Sequence, residues 1–328
     1  MAVQVKTTYS QARRTIEIFI MPIILLLLVA IFYLIEPRFL TGSNLTNLLR
    51  QAAILGLAAF AQLIVIVSGG IDLSTGANIA LVSMISALVS KEYGVMAGFT
   101  MGVLLGTFLG LVNGVLVAYL KIPPFIVTLG MFTYGRAMAW YIGGGLPIEM
   151  LPKGYEFLGG GFFYGIPMPI IVALIFLPFV HFLLTNTKLG RSWYAIGGNQ
   201  KAAHLSGVQV SRYRMLAFVM SGFLAGVAGI VFSSRVISGQ PGLATGLEFK
   251  AIAAVAIGGV SLAGGEGTVL NALVGTLIMS TIDNGMNLAN ISSYYQQMVL
   301  GVIMVIAVAI DNIQRGRIRL PLNKILKR

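Results

Sequence analysis

The chain has 328 residues, 57% of them hydrophobic and only 10% charged, with a mean hydropathy of +0.90. A soluble domain carries about 25% charged residues and could not hide this much apolar surface in one core, so the composition excludes an ordinary water-soluble protein. The net charge of +12 gathers at the chain ends and in one loop, not on a face with interleaved aromatics, which points to membrane topology and away from nucleic acid.

In chain order, Lys6, Arg13 and Arg14 precede an apolar run over 16–35, close to the roughly 20 residues a spanning helix needs. It ends at Glu36-Pro37-Arg38-Phe39 without a small-x-small cleavage pattern, so it reads as an uncleaved first span and not as a secretory signal. Further spans are predicted at 45–68, 75–90, 94–120, 125–142, 167–185, 214–234, 247–263, 269–286 and 294–311. The expected fold is therefore an all-α polytopic membrane protein of about 10 transmembrane helices over 16–312, between an N-tail (1–15) and a basic C-tail (313–328). The third and eighth runs are short and flanked by glycines, which leaves a smaller number of full spans open. With both termini inside, 15 of the 22 Lys and Arg fall on the inner side, a bias that supports an N-in, C-in arrangement. The largest outer segment, Gly143 to Gly165, is too rich in Gly, Pro and charge to span; it is either a solvent loop or a binding surface.

Glycines at 102, 106, 110 and 114 form one face of the fourth span, and Gly222, Gly226 and Gly229 a similar face of the seventh. Such faces let helix backbones approach closely in lipid. Two runs are interrupted by glycine-rich turns, Gly69–Gly76 and Gly258–Gly267, which echo each other and lie on the same side by span count. Irregular backbone in a bilayer needs protein or water to satisfy it, so these turns are candidate gates, although Asp72 with Ser74 could equally cap the next helix. Gln62, Asn78, Asn113, Asn271, Asp283, Asn284 and Asn287 are polar side chains inside spans. Together with Asp72 and Ser74 they are the candidates for a pathway suited to a neutral hydroxylated solute; each could also be an interhelical hydrogen bond.

In the 186–213 loop, Asn199 is a good N-cap, Gln200 to Ser206 favours helix and Gly207 is a good stop. A helix this short is unstable alone in water, so the membrane surface, the bundle or a cytoplasmic partner must hold it. The flat Ala202-Ala203 pair suits a partner's groove. Asn199, Gln200, Lys201, Ala202, Ala203, His204, Leu205, Ser206 and Gly207 are the candidate docking residues.

Catalytic signatures are absent from the sequence: no Gly-Lys dipeptide of a phosphate-binding loop, no cysteine, and two histidines, His181 and His204, on different segments. No cofactor is expected in this chain, and any ATP must be bound by another one. The alternative is an ion-coupled secondary transporter, which needs an intramembrane titratable centre. Asp283 is the obvious acid deep in a late span, and no His or Arg partner stands near it in sequence.

Gly69-Gly70-Ile71-Asp72-Leu73-Ser74, Leu189-Gly190-Arg191 with Ala195-Ile196-Gly197-Gly198-Asn199, and Ala202-Ala203 with Leu205-Ser206-Gly207-Val208 resemble the ribose-type permeases of bacterial ABC importers. So do Ser238-Gly239-Gln240-Pro241, Ile257 through Gly265, and Asn284-Gly285-Met286-Asn287-Leu288, in consistent order from about residue 37 to 312. The resemblance implies a type II-like importer permease bundle in the bacterial inner membrane, working as a homodimer in lipid. It also implies a cytoplasmic ABC ATPase and a periplasmic sugar-binding protein as partners. The helix beginning at Asn199 would then be the coupling helix on the ATPase. Carriers of ribose, other pentoses, hexoses and autoinducer-2 belong to this family, and no residue here separates them.

Overall fold

The computed structural model describes residues 20–314. The expected N-tail, residues 16–19 of the first span and nearly all of the C-tail lie outside the described residues. An apolar helix α1 (Ile20–Ile35) leads through a 3-10 turn, Pro37–Leu40, into α2 (Gly42–Val67), α3 (Thr75–Tyr93), α4 (Val95–Ala118) and α5 (Pro124–Ile142). A short turn α6 (Phe157–Gly160) and a two-residue hairpin, β1 (Phe162–Phe163) with β2 (Ile166–Pro167), precede α7 (Met168–Asn186). Then come α8 (Lys188–Gly198), α9 (Gln200–Leu205), α10 (Val210–Val236), α11 (Leu247–Ile257), α12 (Val269–Leu288) and α13 (Ser293–Gln314). By length and composition α2, α4, α7 and α10 suffice to cross a membrane, and α1 and α13 carry shorter apolar stretches.

The centre of the bundle is α2. From Ala52 to Val67 every residue is buried, and Gln62 is the one polar side chain in that stretch. A helix apolar on all sides belongs inside a bundle, and here α3, α7, α10, α11 and α12 all pack on it. Alongside, the two predicted glycine faces meet each other. α4 and α10 run antiparallel, with Gly106 against Gly222 and Gly226, Gly110 against Phe218 and Gly222, and Gly114 against Met215. A Cβ on Gly106 would lie 2.6 Å from the Gly222 carbonyl oxygen, and one on Gly114 2.7 Å from that of Met215. Both approaches are tighter than any side chain tolerates, so backbone contact replaces the hydrophobic drive that lipid removes.

Two interruptions break the bundle's regularity. After Val67 the chain turns back along α2, so that Asp72 lies beside Gln62 before α3 begins. After α10, residues 237–246 descend beside α3 without helical form, and α11 begins only at the level of Gly76. α11 has 11 residues, about 17 Å, against a hydrocarbon core of about 30 Å. The run predicted as an eighth span over 247–263 is therefore a half-helix: Gly258 and Gly259 stop it where α12 presses against it, with Gly275 on the backbone of Ala254 and Gly258. The third run, by contrast, forms a 19-residue helix.

The echo between the two glycine-rich turns has a local cause. Gly69 (φ +83°) takes Ile66 O while Gly70 N donates to Val65 O; Gly259 (φ +97°) takes Ala256 O while Val260 N donates to Val255 O. Both are the same left-handed helix stop, where glycine avoids the Cβ clash.

The 143–165 segment does not span, as expected. It folds over one end of the bundle, where Tyr155 is fully buried with its hydroxyl 2.8 Å from Ser233 Oγ and 3.3 Å from Ser86 Oγ. Ile148 and Gly239 exchange backbone hydrogen bonds of 2.8 and 2.9 Å, which fixes the top of the 237–246 segment. Gly110→Leu, which would strike the Phe218 carbonyl, should lower the melting temperature of the detergent-purified protein or prevent its accumulation. Gly130→Ala, at an exposed glycine with nothing within 4 Å, should leave it unchanged; differential scanning fluorimetry compares the two.

Candidate coupling and translocation site

The predicted loop after α7 is built as two helices. Thr187 caps α8, its Oγ1 accepting from Gly190 N at 3.3 Å. α8 buries Ser192, Trp193 and Ile196 on one face, with Trp193 Nε1 donating to the Tyr213 carbonyl at 2.7 Å. The neighbouring Tyr194 hydroxyl donates to the Gly267 carbonyl at 2.6 Å, and burial pushes its phenol pKa up. Sequence reading did not separate α8 from the loop because its apolar positions are few; Trp193 was the available signal.

α9 starts as expected. Asn199 Oδ1 accepts from Ala202 N at 3.0 Å, and the helix ends at Gly207 (φ +83°), where Val208 N donates to Ala203 O at 3.0 Å. Asn199, Gln200, Lys201, Ala202, His204, Leu205, Ser206 and Gly207 are exposed, Leu205 at 87%. Ala203 is buried at 5%, so the flat Ala202-Ala203 pair is not one outward surface. Ala203 faces the bundle because α9 is anchored there, and Gln200 Oε1 accepts from Arg214 Nη2 at 3.0 Å. The outward face is carried by Ala202 and Leu205, one helical turn apart.

Just before α9, five glycines from three segments meet. A Cβ on Gly264 would lie 2.9 Å from Gly69 Cα, and one on Gly265 2.6 Å from Gly198 Cα; on Gly197 it would strike the Val67 carbonyl. Gly265 N donates to Val67 O at 3.0 Å. Thus the end of α2, the end of α8 and the loop between α11 and α12 touch backbone to backbone.

Beyond Gly69 the chain enters a buried polar network. Asp72 Oδ1 accepts from Ser74 N at 2.9 Å and Ser74 Oγ at 2.6 Å, and its Oδ2 accepts from Ser221 Oγ at 2.8 Å. Ser74 Oγ in turn accepts from Asn78 Nδ2 at 3.1 Å and Asn113 Nδ2 at 2.9 Å. Gln62 Nε2 donates to the Asp72 carbonyl and, at 3.0 Å, to Thr75 Oγ1. Gln62, Asp72, Ser74, Asn78 and Asn113, scattered over three helices and a turn, therefore form one cluster with Thr75 and Ser221, all at most 1% exposed. Thr75 and Ser221 carried no sequence signal, since hydroxyls are common in spans.

The remaining candidates sit elsewhere, on α12. Asn271 closes a capping box with Thr268 and donates to the Gly258 carbonyl at 2.6 Å. Asp283 pairs with Lys250 Nζ at 2.7 Å, a partner on α11 that sequence distance concealed. Asn284 and Asn44 exchange amide hydrogen bonds of 2.8 and 2.9 Å, and Asn287 Oδ1 accepts from Gln296 Nε2 at 2.8 Å. Asp72→Ala should orphan Ser74 and Ser221 in an apolar site and destabilise the fold by about 1–3 kcal/mol for each stranded group, read as a lower melting temperature. Asn287→Ala, on an exposed side chain, should cost little.

A family model described as branched-chain amino acid transport system / permease component matches residues 44–308. The chain is 41% identical over 290 residues to the ribose import permease protein RbsC of Bacillus subtilis, covering 88% of this chain and 90% of that one. It is 38% identical over 296 residues to RbsC of Escherichia coli K12, covering 88% and 92%. To the L-arabinose ABC transporter permease protein AraH of Azospirillum brasilense it is 37% identical over 297 residues, covering 90% and 88%. No solved structure gives a significant match. With a central helix, paired glycine faces, broken helices and these relatives over nearly its whole length, this multi-pass inner-membrane chain belongs to the ribose-type permease family of ABC importers.

Proposed function

We propose that this chain forms the membrane path of an importer for a monosaccharide, ribose or a related small sugar, by its similarity to ribose, L-arabinose and D-allose permeases. In this reading two copies face each other in the membrane, a separate cytoplasmic ATPase supplies the energy, and a periplasmic binding protein delivers the sugar. The α8–α9 end faces the cytoplasm, with the chain N-in and C-in. Lys121, Lys188, Arg191, Lys201, Arg212 and Arg214 then lie on the cytoplasmic side.

The observation that carries the reading is the exposed helix α9 joined to two interrupted membrane segments through backbone contact at Gly69, Gly197, Gly264 and Gly265. An exposed helix of six residues has no stability of its own, and Leu205, 87% exposed, adds nothing to the buried core. Closure of the ATPase on ATP would push α9, and the junction would pass that motion to the 68–74 turn and to the 258–268 loop. Alternating access follows from these two breaks moving against α2.

The family match favours this reading over an ion-coupled carrier. The acid on which that alternative rested, Asp283, is already neutralised by Lys250, and Asp72 has every oxygen occupied by hydrogen-bond donors. Replacing both Ala202 and Leu205 with Glu should leave expression and melting temperature unchanged while ATP-driven uptake in proteoliposomes falls at least about tenfold, as expected when a small central contact of an interface is lost. Normal uptake in that variant would remove α9 from the coupling role.

A further inference from the structure

Residues 237–246 are not helical, yet they lie at membrane depth. At the upper end Gly239 rests on Ala87 and Ser83, and Gln240 N donates to Ser83 Oγ at 3.0 Å; at the lower end the Ala244 carbonyl lies against Gly76. Along α3, the step from residue 87 to 76 is about 17 Å, roughly half of a hydrocarbon core of about 30 Å. The segment is not covered on its far side. Gly242 and Thr245 are exposed, as are Thr133 and Trp140 on the adjoining face of α5 and Phe249 at the start of α11.

Exposed, irregular backbone does not face lipid, where its polar groups would go unpaired; at this depth it lines water or protein. The local chemistry agrees. Arg136 Nη1 holds the segment by donating to the carbonyls of Pro241 at 3.2 Å and Leu243 at 2.8 Å, while its Nη2 is buried with no hydrogen-bond partner among the described residues. Behind it Glu248, 1% exposed, keeps Oε2 unpaired. The exposed face beside it, Trp140 with Thr133 and Thr245, combines an indole ring with hydroxyls, a pairing suited to a sugar, whose hydroxyls form hydrogen bonds and whose C–H face is apolar. The buried network around Asp72 offers no such opening, because its members are enclosed.

We infer that the face formed by Gly242, Thr245, Thr133 and Trp140 lines the aqueous path of the solute, with Trp140 as a solute-contacting group and Arg136 holding that wall in place from behind. The inference rests on the monosaccharide-importer reading for the solute and on the second copy to seal the path from lipid.

The chain contains no cysteine, so single cysteines report cleanly. In the complete transporter in native membranes, Thr245→Cys and Thr133→Cys should react with a charged methanethiosulfonate about tenfold or more faster than Ile175→Cys on the apolar face of α7, since only water carries the reagent. Modification should also block uptake of D-ribose. Trp140→Ala, with the reactivity of Thr245→Cys retained, should lower that uptake about tenfold through loss of the aromatic face against the sugar. If both path cysteines are as inert as Ile175→Cys, or if Trp140→Ala transports at the parental rate, the inference is overturned. Failure of the parent chain to take up any sugar would instead sink the importer reading, while the labelling contrast still decides whether this face meets water.

Discussion

Backbone that leaves helical form inside a bilayer must find its hydrogen bonds in protein or in water, and that constraint organises this molecule. Two of the breaks, at 68–74 and at 237–246, are dealt with differently. The first is folded against α2 and closed off: Gln62, Asp72, Ser74, Thr75 and Ser221 satisfy one another away from any solvent. The second is satisfied on one side only, by Arg136, Ser83 and Ile148, and is open on the other. One break is a fixed structural node and the other a wall.

The two are linked mechanically. Leu247 begins α11 where the second break reaches the level of the first, and the Glu248 side chain presses on Gly76 at the start of α3. At the other end of α11 the chain returns to the glycine junction, where Gly264 meets Gly69 and Gly265 meets Gly198. Helix α9 starts two residues beyond that contact. Rigid backbone packing is a good transmitter because close-packed interiors shift between discrete arrangements and do not deform gradually. The tight α4–α10 pair, with carbonyls against glycines, supplies a frame against which the α2–α11–α12 group can move.

Much of this was legible in the residues. The glycine faces of α4 and α10 followed from four-residue spacing, and the α9 cap followed from Asn199 and Gly207, because both signals are local. The polar cluster was legible as members but not as a group: Gln62 and Asn113 stand 51 positions apart in sequence, and only the reversal after Val67 brings them to Ser74. The half-helix at 247–257 was signalled by a short, glycine-flanked run and by the Gly258–Gly267 turn, but its end was placed at 263 because the apolar run continues past Ile257. Most of the wall at 237–246 was invisible. Ser238-Gly239-Gln240-Pro241 entered only as a family motif, and nothing in the composition of this segment says that it descends beside α3.

The central claim is that α9 and the membrane breaks move together, and it is tested most directly by distance. With spin labels at Leu205→Cys and Thr245→Cys in the reconstituted complex, pulsed electron resonance should give one distance distribution without nucleotide. It should give a clearly shifted one with ATP and vanadate. An unchanged distribution in a complex that still hydrolyses ATP and imports sugar would contradict the account.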